Sequence, residues 1–165
     1  MILIEHHYQD MEVWVPYFRL VEEGATVHFI GTGSQKSYNG KYGYPVRAHF
    51  IADKVKPSAY DAIIIPGGWA PDFLRRYPAV INLVQKMDQA GKLIASICHG
   101  GWVLASANVL RNRKCTSFFA IKDDLIHAGA KYLDQEVVVD KNIITSRTPD
   151  DLPAFMREIV RALEG

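Results

Sequence analysis

Six short apolar runs, interleaved with helical patterns, leave this chain very few ways to fold. They are Ile2 to Ile4, Thr26 to Ile30, Ala62 to Ile65, Leu93 to Ile97, Val137 to Val139 and Ile143 to Thr145, and most of their positions are β-branched. Their apolarity is continuous rather than alternating. Strands of that kind are buried on both faces, as in a parallel sheet covered by helices. The helical patterns fall between them. Val13 to Glu23 ends at Gly24, a C-cap, and Pro16 is expected in or near its first turn, because an interior proline costs about 3 kcal/mol. Ala79 to Ala90 follows Pro78 and stops at Gly91. Asp151 to Leu163 opens with acids and Pro153 and repeats Leu152, Phe155, Ile159 and Leu163 on one face. The alternation predicts an α/β three-layer sandwich with a mostly parallel central sheet and right-handed crossovers.

A chain of 165 residues suits one domain, residues 1–165, and no repeat or linker divides it. The loosest stretch, Gly31 to Asp53, is expected to form a small hairpin or excursion at the sheet edge. Net charge is +1 with both signs interspersed, which gives no electrostatic reason for a nucleic-acid or membrane partner. No run approaches the roughly 20 apolar residues of a membrane span, and Met1 to His7 has no signal-peptide character. Two cysteines, Cys98 and Cys115, make no disulfide framework or paired metal-ligand spacing. A cytoplasmic setting is expected, in which a lone thiol serves packing or chemistry. His6 and His7 are adjacent, would point apart in a strand, and suggest no metal site.

Cys98 and His99 stand at the junction between the run Leu93 to Ile97 and a helix beginning at Gly100-Gly101. A tight turn there exposes one side chain at the carboxyl end of a sheet, the arrangement of a nucleophile elbow. A helix N-terminus also favours the thiolate. The bland alternative is an inert buried cysteine, but a turn followed by His-Gly-Gly is poor core material. His99 is a candidate base for Cys98 or a surface histidine. Pro66-Gly67-Gly68 follows the run Ile63 to Ile65, so Gly67 and Gly68 could point amides at an anion and, with the amide of His99, form an oxyanion hole. An ordinary turn explains them equally well. Glu12 enters the first helix from a loop at the carboxyl end of a strand, as a capping residue or a catalytic carboxyl group. Trp69 and Trp102 could wall a pocket or pack in the core, and Cys115 reads as a packed strand residue.

The combination resembles the PfpI intracellular-protease branch of the ThiJ/PfpI superfamily. The resemblance runs through Asp10-Met11-Glu12, Pro16 to Leu20, Gly40 to Pro45, Pro66 to Asp72, Ala95 to Gly100, Ile121 to Leu125, Glu136 to Asp140 and Thr145 to Pro153, almost the whole chain. It implies a flavodoxin-like sandwich and a homo-oligomer, a dimer or a hexamer. It implies Cys98 as nucleophile, Glu12 as the carboxyl group bonded to its sulfur, and His99 as the second catalytic residue. In the archaeal members a neighbouring subunit supplies a glutamate that orients this histidine, from the position held here by Asp72, whose reach is one methylene shorter. Gly101 replaces a proline common after the Cys-His-Gly motif. No cofactor is implied. The resemblance leaves three functions open: a glyoxalase III- or deglycase-like enzyme acting on small reactive carbonyls, an intracellular cysteine peptidase for short peptides, and a non-enzymatic redox sensor or chaperone. His99 favours the enzymes, since a sensor has no need of a base.

Overall fold

Each of the six apolar runs contributes a strand to one sheet in the computed structural model, which describes residues 1–165. The strands of that sheet are β1 (Ile2–Ile4), β2 (Phe29–Gly31), β5 (Phe50–Ile51), β6 (Ala62–Ile65), β7 (Leu93–Ile97), β10 (Val137–Asp140) and β11 (Ile143–Ser146). Their order is β10-β11-β7-β6-β1-β2-β5. All pairs are parallel except β10 with β11, which form an antiparallel hairpin at one edge. Every residue of β6, β7 and β11 is buried, the small polar Ser96, Thr145 and Ser146 included, as strands covered on both faces require.

Helices cover both faces. On one side α1 (Asp10–Glu22) packs against α6 (Leu152–Glu164). On the other lie α2 (Ala70–Leu74), α3 (Pro78–Gln89), α4 (Gly101–Ser106) and α5 (Lys122–His127). This is the expected flavodoxin-like three-layer arrangement. A core cluster of 40 buried residues runs through it, from Met1 and Ile2 to Phe155 and Ile159. Cys115, in the short strand β8 (Lys114–Cys115), which pairs with β9 (Lys131–Tyr132), is fully buried in that cluster.

The stretch Gly31 to Asp53 does form a hairpin, β3 (Ser37–Asn39) with β4 (Pro45–Arg47), before β5 closes the sheet edge. Helix α1 departs from expectation. It begins at Asp10, three residues before Val13, because Gln9 caps it by accepting a hydrogen bond from the Met11 amide at 3.3 Å. Pro16 therefore lies inside the helix and not in its first turn. Its ring is buried, and that packing offsets the hydrogen bond it denies the Glu12 carbonyl.

The connection after β1 leads to β2 on one side, whereas β6 adds on the other. The chain thus reverses its winding between β1 and β6, and the crevice at the carboxyl ends of such strands is where open α/β sheets bind ligands. The loops after β1, β6 and β7 all open there.

Candidate active site

Cys98 follows directly from β7 and has φ of 59°, a left-handed conformation that costs a non-glycine residue about 1–2 kcal/mol. A 3-10 turn, Cys98–Gly100, then runs into α4. The strand–turn–helix geometry expected at this position is present, and it holds the half-buried sulfur above the sheet. Gly100 allows the close approach that makes the turn possible, since a Cβ there would lie 2.5 Å from the Ile65 carbonyl oxygen of β6.

Three loops converge on the sulfur. His99 places Nδ1 3.3 Å from Cys98 Sγ. The amides of Gly68 and His99 both point at the sulfur and favour its anionic form. Gly68 has φ of 74°, and this left-handed turn aims its amide inward. Gly67 serves differently from the sequence expectation. Its amide donates to Glu12 Oε2 at 2.6 Å, so it is committed to the carboxyl group and does not join an oxyanion hole. Gly67 also separates the two reactive groups: a Cβ there would lie 2.7 Å from Glu12 Oε2 and 3.0 Å from Cys98 Sγ.

Glu12, from the first turn of α1, is fully buried. Its Oε1 is buried too and has no hydrogen-bond partner, and the Cys98 thiol is the side chain whose influence on the carboxyl group is largest. Burial raises the Glu12 pKa to about 8, against the partial counter-effects of the Gly67 amide, the Cys98 thiol and the charge of Lys41. The carboxyl group is therefore protonated at neutral pH. For Cys98, burial and then the charge of an ionised Glu12 push the thiol up to about 12. These two pushes belong to different proton arrangements of one coupled pair. Below about pH 8 Glu12 is neutral, so its charge is gone and its O–H is a donor that favours the thiolate. Burial, then the charge of Lys41, lowers the His99 pKa, which leaves a neutral imidazole able to take a proton.

Aromatic rings frame the histidine. Phe118 stacks on it at 5.0 Å between centroids, Trp102 meets it edge-on at 5.1 Å, and the exposed Trp69 lies 6.0 Å away. Both tryptophans thus stand at the site, and Phe118 joins them from the irregular segment after β8. Asp72 does not. It sits part-exposed on α2, paired with Arg76, and the only side-chain hydrogen bond of His99 within the chain is to Cys98. His6 and His7 lie beyond the end of β1 with ring centroids 6.3 Å apart, and no group of three metal-ligating side chains is assembled anywhere in the chain.

Sequence reasoning missed Lys41 and Tyr8. Lys41 sits in the turn of the β3–β4 hairpin, and its charge reaches both Glu12 and His99. Tyr8 pairs with Gly40 on one side and Gly68 on the other. Nothing in local composition marks either, because both act through a hairpin that folds back over the first loop.

A nucleophile elbow with this carboxyl partner matches one known family over nearly the full chain: the sequence model of the DJ-1/PfpI family covers residues 1–162. The chain belongs to the DJ-1/PfpI family. The Pyrococcus horikoshii relative named Deglycase PH1704 is 45% identical over 164 residues, covering 99% of this chain and 98% of the relative. The Escherichia coli relative named Protein/nucleic acid deglycase 2 is 41% identical, covering 98% of this chain and 95% of the relative. Among solved structures, an Anabaena variabilis protein with DJ-1/ThiJ/PfpI-like and ferritin-like domains superposes with a TM-score of 0.97 at 41% identity. That match covers 99% of this chain and 49% of the two-domain protein. The family assignment makes this chain an enzyme of the PfpI type, in line with its site geometry. No helix is long and apolar enough to cross a membrane.

Proposed function

We propose that this protein is a cysteine-dependent deglycase and glyoxalase III-like enzyme that destroys small reactive carbonyls and their adducts on thiols and amines. One observation carries the reading: a single sulfur, on a strained elbow, meets a neutral buried carboxyl group, a neutral imidazole at 3.3 Å and two inward amides. That set is built to form and resolve an S–C bond at neutral pH. The deglycase names of the relatives agree with it.

With free methylglyoxal, the Cys98 sulfur adds to the aldehyde carbon while His99 takes the thiol proton. The oxygen that becomes anionic lies within reach of the Gly68 and His99 amides. The aldehyde-carbon hydrogen then leaves as a proton, the neighbouring ketone carbon gains one, and a thioester remains. Internal oxidation of one carbon and reduction of the other balance, so no outside oxidant is needed. Water cleaves the thioester to give lactate and the free thiol. With an adduct, the S–C bond forms as the bond to the amine or thiol breaks, and that leaving group takes its proton from His99. Glu12 keeps its proton throughout and steadies the sulfur.

The site is completed in an oligomer. His99 has no carboxylate partner within its own chain, and the part-exposed Asp72 of α2 could supply one from a second copy. Helix α1 offers a surface for association: Met11 (50% exposed), Val15 and Phe18 (62% exposed) line an open groove of about 690 Å³ with Trp14 and Tyr44. A reducing cytoplasm would keep Cys98 as the thiol.

Incubation with methylglyoxal and no glutathione is expected to yield lactate, and Cys98→Ala to lower the rate by at least about 10³-fold. Equal lactate formation by Cys98→Ala would overturn the mechanism. Turnover of fluorogenic peptides without lactate would favour a peptidase, and stoichiometric peroxide oxidation of Cys98 without turnover a sensor.

A further inference from the structure

The positive charge that acts on both Glu12 and His99 comes from an exposed lysine, Lys41, in a turn held by several fixed backbone contacts. Tyr8 pairs with Gly68 in an antiparallel bridge and with Gly40 in a parallel one, so Gly40, Tyr8 and Gly68 form three adjacent lanes. Two lanes span roughly 10 Å. The Lys41 amide donates to the Tyr8 carbonyl at 2.7 Å, which fixes its backbone against the loop that carries the site. Asp10, two residues before Glu12, accepts from the Tyr42 amide at 3.0 Å and the Tyr44 amide at 3.3 Å, and the Tyr8 hydroxyl donates to the Tyr44 carbonyl. The turn is therefore held from both ends. Lys41 itself is exposed and pairs with no carboxylate. Its ammonium rests over the Tyr42 ring at 5.6 Å. Its charge acts on Glu12 and on His99, the two residues flanking the sulfur.

A locked turn that presents an unpaired ammonium on a flexible stem, from a backbone fixed against the loop beside Gly68, is suited to receiving an anionic group on the molecule being attacked. We propose that Lys41 is a specificity residue, selecting carbonyl adducts that carry a carboxylate or phosphate a few bonds from the carbon that Cys98 attacks. The substrate class rests on the carbonyl reading above, whereas the charge selection rests on the turn and the unpaired lysine it presents. The site faces solvent, so the selection is moderate and screened by salt.

Two experiments separate those dependencies. In the first, wild type and Lys41→Gln are compared on methylglyoxal adducts of N-acetylcysteine against its neutral amide, and of guanosine monophosphate against guanosine. Wild type is expected to favour the charged member of at least one pair by roughly threefold to tenfold in kcat/KM. Lys41→Gln is expected to lose that preference, Lys41→Glu to reverse it, and Lys41→Arg to keep it. The pair that responds identifies the anion as carboxylate or phosphate. In the second, Cys98 is alkylated with iodoacetate and with iodoacetamide, each displacing iodide, and the rate ratio is compared with that of a neutral model thiol. The ratio is expected to exceed the reference severalfold and to fall to it in Lys41→Gln or at high salt. Preferences unchanged in Lys41→Gln, or absent from wild type in both experiments, would overturn the proposal. An intact alkylation preference in an enzyme that turns over no adduct would instead sink the carbonyl reading and leave Lys41 its role.

Discussion

Glu12→Gln is expected to slow turnover at pH 7 by about 10²-fold or more while making the protein more stable. The amide can still accept from the Gly67 N–H, so the turn is kept. What is lost is the carboxyl O–H beside the sulfur. In the wild type the activity is expected to decline above about pH 8, where Glu12 ionises and sets a negative charge against the thiolate. That alkaline limb should vanish in Glu12→Gln. The stability effect has a definite sign. Native Glu12 holds its proton up to about pH 8, whereas the ordinary carboxyl value is 4.5, so the folded chain binds more protons between them. Stability is full below the unfolded value and is lost as pH rises toward the folded one. At pH 7 the penalty is about 3 kcal/mol for a group this buried. Chemical denaturation of both proteins at pH 5 and pH 8 checks it: the gap should widen at the higher pH, and a gap that is constant would contradict a protonated buried Glu12.

Gly100→Ala is expected to cost about 3 kcal/mol or more, and to abolish activity in whatever fraction still folds. The added Cβ would meet the Ile65 carbonyl at 2.5 Å and Ser96 Oγ at 2.7 Å. The first of these is backbone of a central strand, so the turn must move and carry Cys98 with it. Its neighbour makes the comparison. A Cβ on Gly101 would meet only side-chain carbons of Leu125 and Ile121, at 3.2 to 3.3 Å. Gly101→Ala should therefore stay within about 1 kcal/mol of wild type and remain active. Thermal unfolding of the two variants distinguishes a backbone clash from a general intolerance of this helix to larger residues.

Much of the sheet could be read directly from the chain. Ala62–Ile65 and Leu93–Ile97 appear as strands with the same boundaries as their apolar runs, because both faces are buried and the one polar position, Ser96, is small and buried with the rest. The second run is less faithful: its strand starts only at Phe29, since Thr26 to His28 precede the register that β1 imposes from Ile2. The start of α1 was obscured by Pro16, which reads as a first-turn residue until the cap at Gln9 is seen. Cys98 could be located as the elbow from strand, turn and small residues alone. Its surroundings could not. That Gly67 serves Glu12 rather than an oxyanion depends on how two loops from separate strands cross, and no local pattern encodes that direction. Lys41 was hidden for the same reason, since the contacts that fix its turn against the first loop span more than 30 residues.

The central claim is that Cys98 forms the covalent bond to the carbonyl carbon. Rapid acid quenching during methylglyoxal turnover, followed by digestion and mass spectrometry, tests it most directly. A mass increase of one methylglyoxal on the peptide carrying Cys98, absent from the buried Cys115 peptide and lost on completion of turnover, is the result expected here. Continued lactate production with Cys98 unmodified, or with the transient adduct on another residue, would contradict it.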